Sequence, residues 1–473
     1  MKNEEIALIQ SKHNAAIIAP AGHGKTEMIT DLVASLPGKK LVLTHTNAGV
    51  SALAQRLSKK GIDKNKYCLS TISAFCMKWC AAYPHMAGID LTIGITDKSF
   101  YNNQSQGAAR LFNHSWARDI LLRTYHCVIV DEYQDCVVEQ HQIFLEINKT
   151  VPVYVLGDPM QSIFGWAGKP VSWEHIGFDT VNVETYPWRW KQTNQALGQY
   201  LTEVRKILKP ALMGKSVRLS TAPIGNYIRR ISSFMSKSPE FIKEIGQFQS
   251  VLYLTKWPKD QCSFAQHSGG MFQNDEPQNL SELYETARML DVGDGSARAM
   301  AIYDFIANCA TKVTAELGSY GRHISDGDFD FSHIKKHQDF GQRILALRQH
   351  SEYNNLLSVL DWIRTNSTFR LYRKEMFYEM YRSIRFARER NITIEDAAKQ
   401  IRIIPSNQSR YSSFKKLSSR AVLSKGLEFD CVAIDLGKGF TATEMYVAMT
   451  RAMKTIYFIT DHDSVLLNPP QGI

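Results

Sequence analysis

Residues 15–26 read Ala15-Ala16-Ile17-Ile18-Ala19-Pro20-Ala21-Gly22-His23-Gly24-Lys25-Thr26, an apolar run, a turn with two glycines, then the start of a helical pattern. No other segment constrains the fold as strongly. A buried strand running straight into a helix belongs to a parallel, helix-covered sheet, with its functional turn at the strand's carboxyl end. Gly22 and Gly24 let the backbone N–H groups of Ala21, Gly22, His23 and Gly24 turn inward onto a polyphosphate. Lys25 would neutralise the outer phosphate charge, and the Thr26 hydroxyl would bind Mg²⁺. About a hundred residues later comes Val128-Ile129-Val130-Asp131-Glu132-Tyr133-Gln134-Asp135, an apolar strand ending in acids. Asp131 is placed to share the magnesium and Glu132 to orient or deprotonate an attacking water. Ala19 stands where the generic phosphate loop has glycine, yet the two motifs in this order point to ATP chemistry.

Composition sets outer limits. At 473 residues the chain is too long for one hydrophobic core, so two to four domains are expected. The first residues, Met1-Lys2-Asn3-Glu4-Glu5, do not resemble a secretory signal, and no apolar run reaches the roughly 18 residues of a membrane helix. A cytoplasmic protein with no membrane partner is expected. The eight cysteines are scattered without a Cys-x-x-Cys pair. Cys76 and Cys80 lie one helical turn apart with no second pair to complete a metal site, and read as buried thiols. His333 and His337 share a helical spacing, but position 334 is Ile, so they read as surface histidines.

Strand–helix alternation continues through residues 41–44, 128–130 and 153–156, interrupted by helical sequence at about 76–125. Further strand-like runs appear at 251–254, 432–434 and 456–459, separated by a mostly helical stretch at about 260–410. The positive charge concentrates there. Between Lys335 and Arg420 there are 18 Lys+Arg against 8 Asp+Glu, a surplus equal to the chain's net +10. Phe369, Tyr372, Met376, Met380, Ile384 and Ala387 recur at three- or four-residue steps, an amphipathic helix. Arg370, Arg373 and Arg385 fall on its other faces. They form either a solvated helix face or a cationic surface for a nucleic-acid backbone.

The remaining motifs narrow the reading. In order they are Leu43-Thr44-His45-Thr46-Asn47-Ala48, Thr71-Ile72-Ser73-Ala74-Phe75, Gly157-Asp158-Pro159-Met160-Gln161-Ser162-Ile163-Phe164-Gly165-Trp166, Pro187-Trp188-Arg189-Trp190, Lys425-Gly426-Leu427-Glu428-Phe429-Asp430 and Val447-Ala448-Met449-Thr450-Arg451-Ala452. Together they resemble the UvrD/Rep/PcrA family of superfamily 1 DNA helicases, most strongly at 15–60, 126–168 and 423–455. The resemblance implies an α/β fold of two RecA-like P-loop NTPase domains with parallel sheets and helical insertions. Residues 1–185 would form the first, 186–260 with 411–473 the second, and 261–410 a basic helical insertion. It implies 3′→5′ movement on single-stranded or tailed duplex DNA, driven by ATP and Mg²⁺. Gln161 would sense the γ-phosphate, and Arg189 and Arg451 would reach it from the second domain. Trp188 would stack on adenine and Glu428 would contact the ribose. Trp166 would carry an unstacked base, and Thr44, Asn47 and Thr71 would touch the DNA backbone. The compact length is similar to the helicase partner of Gabija-type antiphage operons, which implies a companion nuclease with its own ATPase domain.

Plain alternatives stand beside these roles. Trp166 or Trp188 is a core residue, Arg189 pairs with a local carboxylate, and Thr44, Asn47 and Thr71 are helix caps. A DNA-stimulated ATPase acting as a sensor is the alternative to a translocating helicase. The sequence also departs from the family pattern. The adenine-reading glutamine upstream of the loop is missing, with Glu5 nearest and Gln10 a poorer fit. Ser73 replaces a histidine, and Arg420-Ala421-Val422 replaces Thr-x-His.

Overall fold

The computed structural model describes residues 1–90, 100–164, 168–276, 281–350, 352–403, 414–437 and 439–470. They fall into two compact units. The first comprises Met1–Ile228, Gly439–Thr455 and His462–Ile473, and the second Arg229–Lys438 and Ile456–Asp461.

The first unit is built on β1 (Asn14–Ile18), β2 (Lys40–Thr44), β3 (Tyr67–Thr71), β4 (Cys127–Val130) and β5 (Val153–Gly157). Their order is β1-β5-β4-β2-β3, and every pairing is parallel. Alternation along the strands divides the core into two faces. Leu41, Leu43, Val128, Val130, Val153 and Val155 belong to one hydrophobic cluster, with Phe75, Cys76, Phe112 and Phe144 from covering helices. Val42, Cys127, Ile129, Tyr154 and Leu156 belong to the other, with Ile29, Leu32 and Val33 of the helix Lys25–Ser35. A parallel sheet covered on both faces reads as continuous apolar runs, as these strands do. The expected insertion is helical, with Ile72–Ala82, Pro84–Ala87, Phe100–Asn113 and Ser115–Thr124. Cys76 and Cys80 are buried free thiols, as the sequence suggests.

Strand order positions the site. β5, which carries Gln161 on the turn beyond it, lies between β1, which feeds the phosphate loop, and β4, which ends at Asp131. The three motifs therefore leave the same edge of the sheet side by side.

The chain divides elsewhere than at the expected 185/186 boundary. Residues through Ile228 group with the first unit, as do Gly439–Thr455. Arg205 in the earlier of these segments bonds Asp158 at 2.7 Å, and Tyr446 in the later one bonds the Ala21 amide, while the two segments also hold each other. The Trp190 indole donates to the Ala452 carbonyl at 2.7 Å, and Asn194 donates to the Lys454 carbonyl at 3.0 Å. In the same unit β6 (Val217–Ser220) pairs antiparallel with a late C-terminal strand, Ser464–Leu467.

The second unit holds most of a six-stranded sheet: β8 (Val251–Leu254), β9 (Gln273–Asn274), β10 (Lys416–Ser419) and β11 (Phe429–Asp435), with β7 (Ile228–Ile231) from Arg229 on and β12 (Ala452–Ile459) from Ile456 on. The order is β7-β12-β11-β8-β10-β9, with β8, β9, β10 and β11 mutually parallel where they pair. The helices from Ser281–Val292 to Ile394–Ile403 share one core of their own, from Leu283 to Ala398. Within it Met376, Met380, Ile384 and Ala387 line the buried stripe of the helix Lys374–Arg390, as the periodicity suggests, whereas Phe369 and Tyr372 precede its first residue. His333 is exposed, whereas His337 is half-buried ahead of the helix Gln338–Gln349, with Nε2 3.4 Å from Glu316. Among the described residues no helix is long and apolar enough to cross a membrane.

Candidate nucleotide site

The phosphate loop is shaped by its glycines. Gly22 has φ 72° and Gly24 φ 87°, a region that costs an L side chain strain. A Cβ on Gly22 would also stand 2.6 Å from the buried Trp190 ring. Gly24 is the N-cap of the helix Lys25–Ser35 and offers no side chain, so the first-turn N–H groups stay available to an anion. Ala21 is buried, and its amide bonds the Tyr446 hydroxyl. Thr26 sits half-buried on the first helical turn.

Lys25 and the acids meet directly. Lys25 Nζ lies 3.0 Å from Asp131 Oδ1 and also pairs with Glu132. Burial pushes the Lys25 ammonium down, but the two carboxylates more than offset it and hold it above ordinary lysine. Burial raises Asp131 above its usual value, with Lys25 pulling the other way. Glu132 has φ 54°, an uncommon left-handed backbone for a side-chain-bearing residue, and its N–H donates to Asp131 Oδ1 at 2.8 Å. The Thr26 hydroxyl and the Asp131 carboxylate are hard oxygen donors suited to Mg²⁺, which takes few protein ligands when phosphates supply the rest.

A buried network joins this pair to the Gln161 turn. Gln134 donates to Glu132 and accepts the Asp158 N–H at 3.0 Å. Asp158, fully buried, accepts from Arg205 Nη2 at 2.7 Å, from Met160 N at 3.2 Å and from Gln161 Nε2 at 3.4 Å. Arg205 also bonds Tyr446. His23 is buried above this network, and its Nδ1 has no hydrogen-bond partner among the described residues. Burial lowers its pKa to about 4, with Asp158 opposing and Arg205 and Arg189 reinforcing. Asp158, Arg205, Tyr446 and Gln134 have no assigned role in the sequence reading. Asp158 and Gln134 lie inside recognised motifs, whereas Arg205 carries no sequence signal.

Arg189 and Arg451 fall in the same compact unit as Lys25. The Arg189 N–H donates to the Gly22 carbonyl at 3.0 Å, and its guanidinium donates to the Thr450 carbonyl at 2.6 Å. Arg451 is buried, with Nε on the Val447 carbonyl at 3.0 Å and Nη2 on Thr450 Oγ1 at 3.1 Å. Of the two tryptophans beside Arg189, Trp190 is the core residue. Trp188 is 55% exposed, with an indole carbon 3.2 Å from where a Gly24 Cβ would lie, so it stands open beside the loop. Glu428 is exposed in the second unit.

The nucleic-acid set fares unevenly. Thr44 is buried beneath Gly49, which makes it a packing residue rather than a backbone contact. Asn47 is exposed at the start of the helix Asn47–Lys59, whose cap is Thr46. Thr71 caps the helix Ile72–Ala82, accepting the Ala74 N–H at 3.1 Å. Trp166 lies outside the described residues. Arg373 is overturned as a DNA contact: it is 8% exposed and clamped by Glu276 at 2.7 Å and Glu282 at 2.9 Å. Periodicity could not foresee this, because Arg373 precedes the helix Lys374–Arg390 as its N-cap. Arg370 and Arg385 are exposed.

A protein-family model described as an AAA domain matches residues 2–167. The RecBCD enzyme subunit RecB of Buchnera aphidicola subsp. Schizaphis graminum (strain Sg) is 33% identical over 79 residues, 16% of this chain and 7% of that protein. Its counterpart in Buchnera aphidicola subsp. Acyrthosiphon pisum (strain APS) is 32% identical over 57 residues, 11% of this chain and 5% of that one. The chain thus spans less than a tenth of the length of these relatives. Among solved structures, arterivirus nonstructural protein 10 (helicase) with DNA aligns with TM-score 0.37 and 10% identity, over 98% of this chain and 64% of that one. The PRRSV helicase aligns with TM-score 0.35 and 9% identity, over 97% and 54%. Residues 2–167 are thus similar to an AAA domain.

Proposed function

We propose that this chain is an ATP-dependent 3′→5′ DNA translocase and helicase of the UvrD-like type. The observation that carries the reading is the buried contact of Lys25 with Asp131 and Glu132 at the mouth of a glycine-shaped phosphate loop. Thr26 and Asp131 would hold Mg²⁺, whose chemistry when bound is neutralisation of charge on the phosphates. Lys25 holds the β- and γ-phosphates, and Glu132 takes the water proton. Gln161, tied to Asp158, senses the γ-phosphate, while Arg189 and Arg451 stabilise charge as it spreads in the transition state. Trp188 offers its open face to the base.

The nucleic-acid side of the reading draws on the motif resemblance and on the relatives' printed descriptions as RecBCD subunits and a helicase with DNA. Trp166 is the proposed base-stacking residue, and its replacement by alanine weakens single-stranded DNA binding by about 1–3 kcal/mol. A companion nuclease with its own ATPase domain belongs to the same proposal, and copurification with the product of a neighbouring gene tests it. The function itself is tested by ATP turnover with and without single-stranded DNA, then by strand displacement on a 3′-tailed duplex. Stimulation with displacement supports a helicase, stimulation alone reduces it to a sensor ATPase, and no turnover contradicts both.

A further inference from the structure

We propose that a cleft in the helical part of the second unit is a phosphate-binding site. The cleft, about 510 Å³, lies among the helices Gln338–Gln349, Tyr353–Thr365 and Lys374–Arg390. Three arginines from two of these helices, Arg343, Arg385 and Arg388, line it with Asn354, Ser358 and Asp361.

Its charge is uncompensated from within. Asp361, the one acid in the lining, is held at 2.6 Å by Arg364, which is not part of the lining, and accepts the Tyr381 hydroxyl at 3.2 Å. Arg388 donates to the neutral Asn354 amide oxygen at 2.8 Å. Arg343 donates to the Ser358 hydroxyl, and its Nε is buried with no hydrogen-bond partner among the described residues. Among the described residues Arg385 pairs only with a half-exposed carboxylate on its own helix, Glu389, at 3.6 Å. Arg373 in the same unit, by contrast, has two carboxylates within 2.9 Å. Guanidinium forks on a polar cleft whose lining acid is held by an arginine outside it match the planar, bidentate recognition of phosphate oxygens.

Two sources supply that chemistry: the backbone of a nucleic-acid strand, or a free polyphosphate. The first deepens the proposed function and rests on it; the second does not. The test uses the full chain with Arg385→Gln and Arg388→Gln combined, against a control in which the exposed Arg322 and Lys335 are changed to Gln, removing equal charge elsewhere in the unit. Basal ATP turnover without DNA and the thermal midpoint are measured for each and are expected to match wild type.

If the strand backbone is the ligand, the cleft variant binds a single-stranded oligonucleotide about tenfold more weakly, and its salt slope is shallower by about 1.4. The control stays within about twofold. If a free polyphosphate is the ligand, oligonucleotide binding is unchanged and calorimetry with pyrophosphate loses one of two sites. Calorimetry also tests the cleft should the chain bind no DNA at all. Unchanged oligonucleotide affinity with unchanged pyrophosphate stoichiometry overturns the proposal, as does an equal loss in the control.

Discussion

Lys25 Nζ lies 3.0 Å from Asp131 Oδ1, with both side chains no more than 10% exposed. The ammonium that should meet phosphate is therefore held by the carboxylate that should meet magnesium. Nucleotide and metal arriving together exchange one pairing for two. Removing only one partner leaves a buried charge uncompensated. In Lys25→Ala, the adjacent Asp131 and Glu132 carboxylates lose their cation, so Asp131, already raised by burial, rises further. A carboxyl whose folded-state pKa is raised contributes stability that is lost as pH rises through that pKa. The variant should accordingly be more destabilised at pH 8 than at pH 5 in denaturant melts, and equal losses would count against the contact. Nucleotide affinity should fall as well.

Asp158 makes a second buried commitment. Its side chain is fully buried and its cation, Arg205, comes from the helix Gln195–Leu208. Arg205→Ala is expected to cost about 3–5 kcal/mol, the range for breaking such a pair. Adding Asp158→Asn should recover part of that loss, because the stranded charge is then gone. Urea unfolding of the two single variants and the double checks this, and additive losses would contradict it.

His23 gives a pH signature. Its folded pKa, about 4, lies below the ordinary 6.5, so the unfolded chain binds the extra proton first. Stability is then lost as pH falls from about 6.5 towards 4 and levels off below, with a total of no more than about 3 kcal/mol. His23→Gln should flatten that stretch of the stability profile relative to wild type. A parallel pair of profiles would place the imidazole in water.

Arg189 and Arg451 converge on Thr450, one through its carbonyl and one through its hydroxyl. Changing either to alanine should leave nucleotide affinity within about tenfold while cutting hydrolysis by about 10³-fold or more, since such contacts strengthen in the transition state. Binding and turnover falling together would demote them to ground-state contacts.

Much of the first unit was legible because its signals are local. A buried parallel strand is a run such as Val128-Ile129-Val130, and the phosphate loop must carry glycine at 22 and 24. Trp188 and Trp190 show where legibility ends. Two residues apart in one motif, one is open beside the loop and the other is 1% exposed, a difference set by packing against Ala452 far along the chain. The surroundings of Arg189 and Arg451 were hidden for the same reason. Sequence order assigned them to the later domain; hydrogen bonds across some 260 residues join their two segments to each other, and the Arg189 N–H reaches the Gly22 carbonyl of the loop. Arg373 was misread because its partners, Glu276 and Glu282, lie about 90 residues upstream, beyond any helical periodicity.

The most direct test of the central claim is ATP turnover with and without single-stranded DNA for wild type and Glu132→Gln. Glu132 sits in a left-handed backbone beside Lys25, and the amide keeps its shape while removing the base. The account predicts DNA-stimulated turnover in wild type and a fall of about 10²–10⁴-fold in the variant, with nucleotide and DNA binding preserved. Turnover above about a tenth of wild type in Glu132→Gln, or no turnover in wild type at all, would contradict it.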